Sequence, residues 1–450
     1  MKLVLLSGGS GKRLWPLSND SRSKQFLKVL VNEDGEMESM VQRVWRQLNA
    51  ARLGKSSYLV TGAAQLDILY SQLEDRSRII IEPERRDTFP AIALAAVYLY
   101  SVEGVGLEEV VGILPVDPYV DVDFFEKVIE LEDMLQETGA DLALIGVKPL
   151  HPSEKYGYIV PEEQREHAQS HMNVNFFKEK PSELQAHELI QQNALWNCGV
   201  FAFKLGYLID RLIGSGYPIQ YEEMIKQYGL LPKISFDYEI VEKASYTIVT
   251  PYDGPWKDLG TWNTLTEEMK SNLLGNAIVT EDSLNTHVIN EFEIPIAVIG
   301  LSDIVVAASP DGILVADKSK SPRVKDILKD NIQRPMYEER QWGDYRVLDY
   351  KPCWEGHEVL IKKIRITAGK GLNYERHLLR DETVIVVSGT GEFTLKGITN
   401  IVRSGDVIQI PAGYEHSLKA STDLEYIEVQ KGDQLLENDS VPIDIQMLKL

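Results

Sequence analysis

Short apolar runs alternate with amphipathic segments through the first half of the chain. The apolar runs predict buried strands at residues 2–6, 57–61, 78–81, 110–114 and 141–147. Apolar residues at helical spacing predict helices at residues 37–48, 91–100 and 124–136. Asp87 or Thr88 is expected to cap the second helix, and Pro90 fits its first turn. This alternation predicts a mixed, mainly parallel sheet with helices on both faces, which binds ligands at the carboxyl ends of its strands.

The pattern changes to strands alone after Trp262. Short strand-like pieces are expected at residues 277–279, 297–299, 304–307 and 312–316. The polar stretch 317–323 is interpreted as a connector. Beyond Tyr345, glycine turns separate runs at residues 359–366, 383–388, 391–395, 407–410 and 424–429. We therefore expect an α/β domain at 1–270, a β-rich connector at 271–335 and a small β-barrel at 336–450.

Composition and charge narrow the class of protein. With 450 residues, 44% hydrophobic and 26% charged, the chain has the profile of a soluble globular protein. Its formal net charge of −21 disfavours nucleic acid and anionic membranes as partners. No apolar run approaches the ~18 residues of a membrane helix. Cys198 and Cys353 give neither a disulfide framework nor a thiolate zinc spacing, so we expect a cytoplasmic protein.

A glycine-rich segment, Gly8-Gly9-Ser10-Gly11-Lys12, follows the first predicted strand directly. Glycines allow close approach of a ligand, and the exposed backbone N–H groups can cradle phosphate. A Walker loop does not fit, because Leu6 and Arg13 stand at its first and last places. A dinucleotide fingerprint does not fit either, because Leu14 stands where glycine is needed.

Segments that follow this loop resemble the sugar nucleotidyltransferase family. Leu14-Trp15-Pro16-Leu17 and Lys24-Gln25-Phe26-Leu27 come first, and the second is similar to the GDP-mannose pyrophosphorylase branch of the family. Further segments resemble the family in its order, at residues 82–91, 114–117, 156–159, 177–181, 196–201 and 256–262. Each motif alone is weak, whereas six in one order and at similar spacing are a specific signal.

The resemblance implies the transfer of GMP from GTP to mannose 1-phosphate, which gives GDP-mannose and pyrophosphate. It makes Arg13 and Lys24 the cationic pair at the triphosphate, and Asp117 and Asp258 the ligands of Mg²⁺. The implied nucleotide-binding residues are Gly8, Gly9, Gly11, Lys12, Arg13 and Asp87. The implied residues for the sugar phosphate are Gly157, Glu179, Lys180 and Asn197. Positioning and charge neutralisation dominate this chemistry, and magnesium prefers few carboxylates together with phosphate oxygens.

The chain departs from the family pattern at four positions. Pro118, Asp87, Phe89 and Lys155 stand where His, Asn, Ala and Gly are expected. None of them removes a metal ligand or a cation, but they lie beside the expected base and sugar sites. Two alternatives therefore stay open: another base or sugar specificity, and a regulatory paralogue that binds nucleotide sugar without turnover.

The C-terminal part resembles the cupin domain of type II phosphomannose isomerase. The first cupin motif is matched by Gly371, His377, Glu382 and Gly389. The second is matched by Gly405, Pro411, Gly413 and His416. The order of motifs and the segment 341–345 are also similar to this isomerase domain, which is often fused to the transferase.

The isomerase resemblance implies a metal site of Glu375, His377, Glu382 and His416, for zinc or another divalent metal. Leu379 replaces the second histidine of the first motif, Glu375 replaces a glutamine, and the closing motif of the isomerase is absent from 441–450. A bifunctional enzyme is one alternative, and a barrel kept for stability, dimerisation or regulation is another. We expect a homo-oligomer, namely a dimer.

Overall fold

The computed structural model describes residues 1–9, 12–73, 78–162, 171–329, 334–352, 356–435 and 439–443. Gly11, Cys353 and the tail from residue 444 onward lie outside the described residues. The chain divides into two compact units. The first unit comprises the described residues of 1–11, 23–66 and 75–270, and the second those of 12–22, 67–74 and 271–450. Within the described residues, no helix is both long enough and apolar enough to cross a membrane.

A mixed sheet of nine strands forms the centre of the first unit. The strands of this unit are β1 Lys2–Leu6, β2 Leu30–Val31, β3 Met37–Glu38, β4 Ser57–Gly62, β5 Ile79–Glu82, β6 Val110–Pro115, β7 Pro118–Val120, β8 Leu142–Val147, β9 Tyr158–Pro161, β10 Met172–Lys178, β11 Leu195–Lys204, β12 Thr247–Tyr252 and β13 Trp256–Asp258. The order in the sheet is β5-β4-β1-β6-β11-β8-β12-β10-β9. β11 and β10 run opposite to their neighbours, and β5, β4, β1 and β6 are parallel. The predicted mixed, mainly parallel sheet is confirmed.

Helices cover the sheet. They are α1 Met40–Ala50, α3 Thr88–Ser101, α4 Asp123–Thr138, α5 Glu183–Gln191, α6 Leu205–Gly214, α7 Tyr221–Gln227, α8 Phe236–Glu239 and α9 Trp262–Glu268. The helix α2, Leu66–Gln72, belongs from Asp67 onward to the second unit. The helix α3 is apolar on nearly every side and buried from Phe89 to Val97. It packs against β1 and β5 on one side and against α6, α7 and α8 on the other, which explains why it carries no polar face.

The prediction of one helix over 37–48 was wrong at its start. Met37 and Glu38 form β3, which pairs with β2. The helix α1 begins only at Met40, because Ser39 caps it: the Ser39 side chain accepts from the Gln42 backbone, and the Gln42 side chain accepts from the Ser39 backbone. This reciprocal capping box fixes the first turn more strongly than the apolar spacing could indicate.

The long segment of the second unit, residues 271–450, begins with short strands that are mostly parallel. They are β14 Leu273–Leu274, β15 Ala277–Val279, β16 His287–Asn290, β17 Ile296–Val298, β18 Ile304–Ser309 and β19 Gly312–Asp317. β14, β16 and β18 stack in parallel, as do β15 and β17, while β19 closes antiparallel on β18. Val288, Val298 and Val306 form the core of this segment. The strands β14 and β16 were not among the predicted ones.

The stretch 317–323, which we interpreted as a polar connector, has regular structure. A 3-10 helix runs over Lys318–Arg323, and the Asp317 side chain caps it by accepting from the Ser319 and Lys320 backbones at 2.8 and 3.3 Å. Lys318 is buried, and its ammonium donates to the Asn285 side chain at 2.7 Å. The helix α10, Val324–Ile327, follows directly. The polar residues of this stretch therefore include a helix cap and a buried lysine, while Ser319, Lys320 and Arg323 are exposed.

Two facing sheets form the predicted cupin barrel. Its strands are β20 Tyr337–Arg340, β21 Gly343–Pro352, β22 Glu358–Ile366, β23 Glu375–His377, β24 Arg380–Ser388, β25 Thr390–Leu395, β26 Ile398–Arg403, β27 Val407–Ile410, β28 His416–Ala420, β29 Leu424–Gly432 and β30 Ser440–Pro442. One sheet has the order β20-β21-β22-β29-β24-β27 and the other β26-β25-β28-β23-β30. Apolar side chains between them, such as Leu360, Ile366 and Tyr426, form the core. The predicted barrel fold is confirmed.

A glycine in the middle of the first unit's sheet allows two neighbouring strands to approach closely. Gly146 in β8 lies opposite Asn197 of β11, and an added Cβ would come within 2.7 Å of the Leu195 side chain and 3.1 Å of Val249. We therefore expect Gly146→Ala to lower the free energy of unfolding by about 1–3 kcal/mol through overpacking, measured by urea denaturation. The control is Gly62→Ala, because a Cβ there meets nothing within 4 Å. Equal stability of both variants would contradict this packing.

Candidate active site

A cavity of about 460 Å³ opens where β1, β5 and β6 end. Its lining includes Leu6 at the end of β1, Glu82 at the end of β5 and Pro115 at the end of β6. The antiparallel strand β11 contributes residues near its start. The cavity therefore lies at the carboxyl edge of the parallel strands, where ligands bind in open α/β sheets.

Backbone and arginine groups line one half of this cavity. Gly8 and Gly9 lie in the loop after β1, and Gly9 has a φ of 128°, a left-handed conformation that favours glycine. Arg85 and Arg86 line the same half, and Arg86 is held by hydrogen bonds to the Leu231 carbonyl at 2.9 Å and to Glu84 at 2.7 Å. The sequence analysis did not single out these two arginines, although adjacent cations in a strongly acidic chain are a usable signal.

The remaining residues predicted to bind the nucleotide lie in different places. Asp87 lines the cavity and caps α3 by accepting from the Thr88 backbone at 2.8 Å. Lys12 and Arg13 belong to a short 3-10 helix, Lys12–Leu14, in the second compact unit. Gly11 lies outside the described residues. The roles of Lys12, Arg13 and Gly11 at the phosphates therefore stay predictions.

Glu179 and Gly157 line the other half of the cavity. Glu179 is buried, with a side-chain exposure of 6%, and its Oε1 accepts from the Lys180 ammonium at 2.7 Å. Its Oε2 is buried without a hydrogen-bond partner among the described residues. A Cβ on Gly157 would come within 2.5 Å of this oxygen, so the glycine allows Glu179 to reach the cavity. Lys180 itself is half-exposed and is not part of the described lining.

Asn197 lies at the start of β11 and lines the cavity together with Asp237 of α8. The Asn197 amide donates to Asp237 Oδ1 at 2.7 Å, and its Oδ1 accepts from the Gly199 backbone at 3.0 Å. Burial and then the negative charge of Glu179 raise the pKa of Asp237 to about 7. The sequence analysis did not find Asp237, because no motif that it weighed includes the segment around α8.

Three charged side chains meet at a second cavity of about 190 Å³, which shares Pro115, Asp117, Tyr156 and Asn197 with the first. The Lys24 ammonium lies 2.7 Å from Asp117 Oδ2 and 3.0 Å from Asp258 Oδ1. Burial alone would lower the pKa of Lys24, but the charges of Asp117 and Asp258 outweigh it and raise that pKa. Lys24 is therefore a fixed cation between two carboxylates.

The fold fixes both aspartates through a pair of short strands. Asp117 stands between β6 and β7, and Asp258 of β13 is paired with Pro118 of β7. The helix α1 supports this pair, because the Gln47 side chain donates to the Val120 carbonyl at 2.9 Å and the Arg43 guanidinium stacks on the Tyr119 ring at 4.5 Å. Pro118, which stands where the family pattern has a histidine, thus begins the strand that aligns the two carboxylates.

The two aspartates fit a hard divalent cation. Their oxygens converge on one point, since a single ammonium contacts both, and both side chains are partly exposed. Two carboxylates with open positions for phosphate oxygens and water match the donor preference of such cations. Of the other departures from the family pattern, Lys155 lines the larger cavity, whereas Phe89 is buried in the core.

The barrel brings together the residues that the sequence analysis assigned to a second metal. Ligand atoms of His377, Glu382 and His416 all lie within 4.8 Å of one another. Glu382 lies 3.4 Å from each of the two histidine Nε2 atoms, and Glu375 Oε1 lies 3.7 Å from His377 Nε2. His416 Nδ1 is 3.1 Å from the Tyr414 carbonyl, which leaves Nε2 facing the cluster. This donor set fits a divalent transition metal.

A guanidinium already neutralises this cluster. The Arg380 side chain donates to Glu382 Oε1 at 2.8 Å, and its Nη2 lies 3.3 Å from His377 Nε2. Burial alone would raise the pKa of Glu382, but the hydrogen bond with His416 and the charges of His377 and Arg380 lower it to about 2. Burial lowers the pKa of His377 against the opposing charge of Glu382. Arg380 was not singled out by the sequence analysis.

Comparisons with known proteins agree with this geometry. The Nucleotidyl transferase family matches residues 2–273, a MannoseP isomerase/GMP-like beta-helix domain matches 276–330, and the Mannose-6-phosphate isomerase C-terminal family matches 329–445. Alginate biosynthesis protein AlgA of Pseudomonas aeruginosa is 30% identical, over 97% of this chain and 95% of AlgA. Mannose-1-phosphate guanylyltransferase of Salmonella muenchen is 30% identical, over 98% of this chain and 97% of that protein.

Among solved structures, the chain is similar to one described as mannose-1-phosphate geranyltransferase from Thermus thermophilus. The two share 26% identity and a TM-score of 0.59, and the alignment covers 73% of this chain and 98% of that one. Nucleotidyltransferases of this kind use a divalent metal, which agrees with the paired aspartates. Because the Nucleotidyl transferase match spans more than half of its length, this chain belongs to the nucleotidyl transferase family.

Proposed function

We propose that this chain is a mannose-1-phosphate guanylyltransferase, which transfers GMP from GTP to α-D-mannose 1-phosphate and releases pyrophosphate. The observation that carries the proposal is the convergence of Asp117 and Asp258 on Lys24 beside a cavity large enough for a nucleotide and a sugar. The Salmonella muenchen relative, which is a mannose-1-phosphate guanylyltransferase by name, supports the choice of guanine and mannose.

The reaction needs positioning more than covalent help from the protein. A phosphate oxygen of the sugar 1-phosphate attacks the α-phosphorus of GTP, and pyrophosphate leaves in line. The loop of Gly8 and Gly9 offers backbone N–H groups to the phosphates, and Lys24 supplies a permanent positive charge in the adjoining smaller cavity. Glu179, whose Oε2 has no described hydrogen-bond partner, is placed to accept from sugar hydroxyls.

Asp117 and Asp258 would hold Mg²⁺ in this proposal. When bound, the ion supplies charge neutralisation for the phosphate oxygens. The protein contributes the rigid pairing of β7 with β13, which keeps the two carboxylates at a fixed separation before substrates arrive. Such preorganisation is the main source of electrostatic stabilisation in enzymes.

The function is tested by measuring pyrophosphate release over a matrix of nucleotides and sugar 1-phosphates. We expect magnesium-dependent release with GTP and mannose 1-phosphate, because the chain shares its full length with guanylyltransferases. Activity with UTP or dTTP and glucose 1-phosphate, and none with GTP, would refute the guanylyl assignment while keeping the reaction class. No release with any pair would favour a regulatory paralogue.

Asp258→Asn should lower kcat by about 10²-fold or more, since it weakens electrostatic stabilisation without changing the shape of the side chain. The matched control is Asp253→Asn, because Asp253 is exposed and precedes the same strand β13. Steady-state kinetics with saturating substrates measure both variants. A wild-type rate for the Asp258 variant would show that this carboxylate holds no metal.

Lys180→Ala should raise the KM for mannose 1-phosphate more than the KM for GTP. The proposed partner of Lys180 is the sugar phosphate, and loss of one charge-assisted contact costs about 1.5–3 kcal/mol. Lys178→Ala is the control, because Lys178 is exposed on the neighbouring strand β10. Equal changes in both KM values for the Lys180 variant would place this ammonium away from the sugar phosphate.

We infer that the barrel holds one zinc or similar divalent metal through Glu375, His377, Glu382 and His416. Metal content after mild dialysis, measured by inductively coupled plasma mass spectrometry, should be near one ion per chain. His416→Ala should remove the ion, since loss of an imidazole leaves too few donors. The transferase rate should stay nearly unchanged in that variant.

The exposed His357 provides the control for this experiment, because His357→Ala should keep the metal. Metal-free wild-type protein with an intact barrel would contradict the inference and leave a structural or regulatory role. Isomerase activity of the full chain should be weak or absent, given Leu379 in the first motif. Efficient interconversion of fructose 6-phosphate and mannose 6-phosphate would make the protein bifunctional instead.

A further inference from the structure

Two carboxylates face the same half of the larger cavity. Glu179 follows β10, Asp237 lies in α8, and Asn197 at the start of β11 lines the cavity with them. No motif considered above includes Asp237. Two acidic side chains in a half-cavity that also contains Lys155 and Tyr156 are suited to a neutral polyol that donates hydrogen bonds.

A neighbouring side chain holds one oxygen of each carboxylate. The Lys180 ammonium holds Glu179 Oε1 at 2.7 Å, and the Asn197 amide holds Asp237 Oδ1 at 2.7 Å. The amide cannot turn freely, because the Gly199 backbone donates to its Oδ1 at 3.0 Å. The Asn197 backbone is fixed as well, since its N–H donates to the Gly157 carbonyl at 2.8 Å. Asn197 is therefore built to orient Asp237.

Keeping Asp237 at the cavity wall is unfavourable for the protein alone. Burial and the nearby charge of Glu179 both disfavour its ionised form and raise its pKa. A ligand whose hydroxyl groups donate a hydrogen bond to each carboxylate would stabilise the ionised form, whereas an anionic ligand group would destabilise it further. The half-cavity therefore favours the hydroxyl face of a sugar over its phosphate.

We propose that Asp237 is a sugar-specificity residue that accepts a hydrogen bond from a hydroxyl of the hexose beside Glu179, with Asn197 as its positioning residue. This inference rests on the proposed function in one respect: it takes a sugar 1-phosphate as the substrate that receives the nucleotidyl group. A site built to pair a substrate hydroxyl discriminates strongly against a sugar that presents that hydroxyl differently, because the protein group is then left unpaired.

The test is Asp237→Asn, which keeps the size of the side chain and an oxygen for the Asn197 amide. We expect the KM for mannose 1-phosphate to rise roughly 10- to 100-fold, the loss of one hydrogen bond to a charged group. The KM for GTP and the kcat at saturation should change less than about twofold. The preference for mannose 1-phosphate over glucose 1-phosphate, as a ratio of kcat/KM, should fall by a similar factor.

Glu239→Gln is the matched control, because Glu239 lies on the same short helix and pairs with Lys243 at 2.8 Å outside the described cavity lining. It should leave both KM values unchanged. An Asp237 variant with wild-type KM and wild-type sugar preference would overturn the proposal. A variant with equal losses for GTP and sugar would also overturn it, since that pattern indicates a structural role.

The positioning role of Asn197 is tested by a double-mutant cycle with Asn197→Ser. If Asn197 acts through Asp237, the double variant should show the KM of the Asp237 variant within about twofold, not the product of the two effects. Fully multiplicative effects would overturn the positioning role. All variants are measured with the sugar 1-phosphate that the wild type prefers, so a different natural sugar would change the proposed function without affecting this test.

Discussion

The ion contacts of Lys24 with Asp117 and Asp258 are the constraint on which the rest of the first unit depends. Two carboxylates on neighbouring strands repel each other, and the ammonium between them makes their proximity stable. The sheet places them at the carboxyl edge, and α1 holds the strand pair from the outside. With a net charge of −21, a chain that binds phosphates as proposed also needs local positive charge, and Lys24 supplies a cation in the smaller cavity.

The part of the larger cavity around Glu179 and Asp237 follows a different physical rule. There a neighbouring side chain holds one oxygen of each carboxylate, and Glu179 Oε2 has no hydrogen-bond partner among the described residues. A buried acceptor without a partner is unfavourable until a ligand provides one, so the free protein is held ready for hydroxyl groups. The part around Gly8 and Gly9 instead contains Arg85 and Arg86, whose positive charge suits anions. Under the proposed function, the first part would suit the sugar and the second the phosphates of a sugar nucleotide.

Sequence reasoning predicted most of the architecture because apolar runs report burial directly. The strands β1 and β27 have the predicted bounds, and the residues at strand ends converge because parallel strands end at one edge. Asp237 could not be found this way, since its partner Asn197 lies 40 residues earlier and no local pattern links them. The contacts of residues 12–22 could not be predicted locally either. These residues follow the glycine-rich segment in sequence, yet the Pro16 carbonyl accepts a hydrogen bond from Ser309, which is 293 residues away.

In the barrel, the Arg380 guanidinium likewise lies between buried acceptor groups, but the consequence for metal binding is different. Arg380 contacts Glu382 and His377 through the atoms that a metal would use, and it lies 3.8 Å from Asp439 as well. A metal at this site competes with the Arg380 guanidinium, which loses little conformational entropy when it forms its contacts with Glu382 and His377 again. At the proposed transferase site, the phosphates of a substrate would offer Lys24 new partners if a metal ion took its place between the two aspartates. In the barrel, the neighbouring acidic group for Arg380 is Asp439 of the chain itself. Donor count alone therefore overstates the metal affinity of the barrel relative to that of the transferase site.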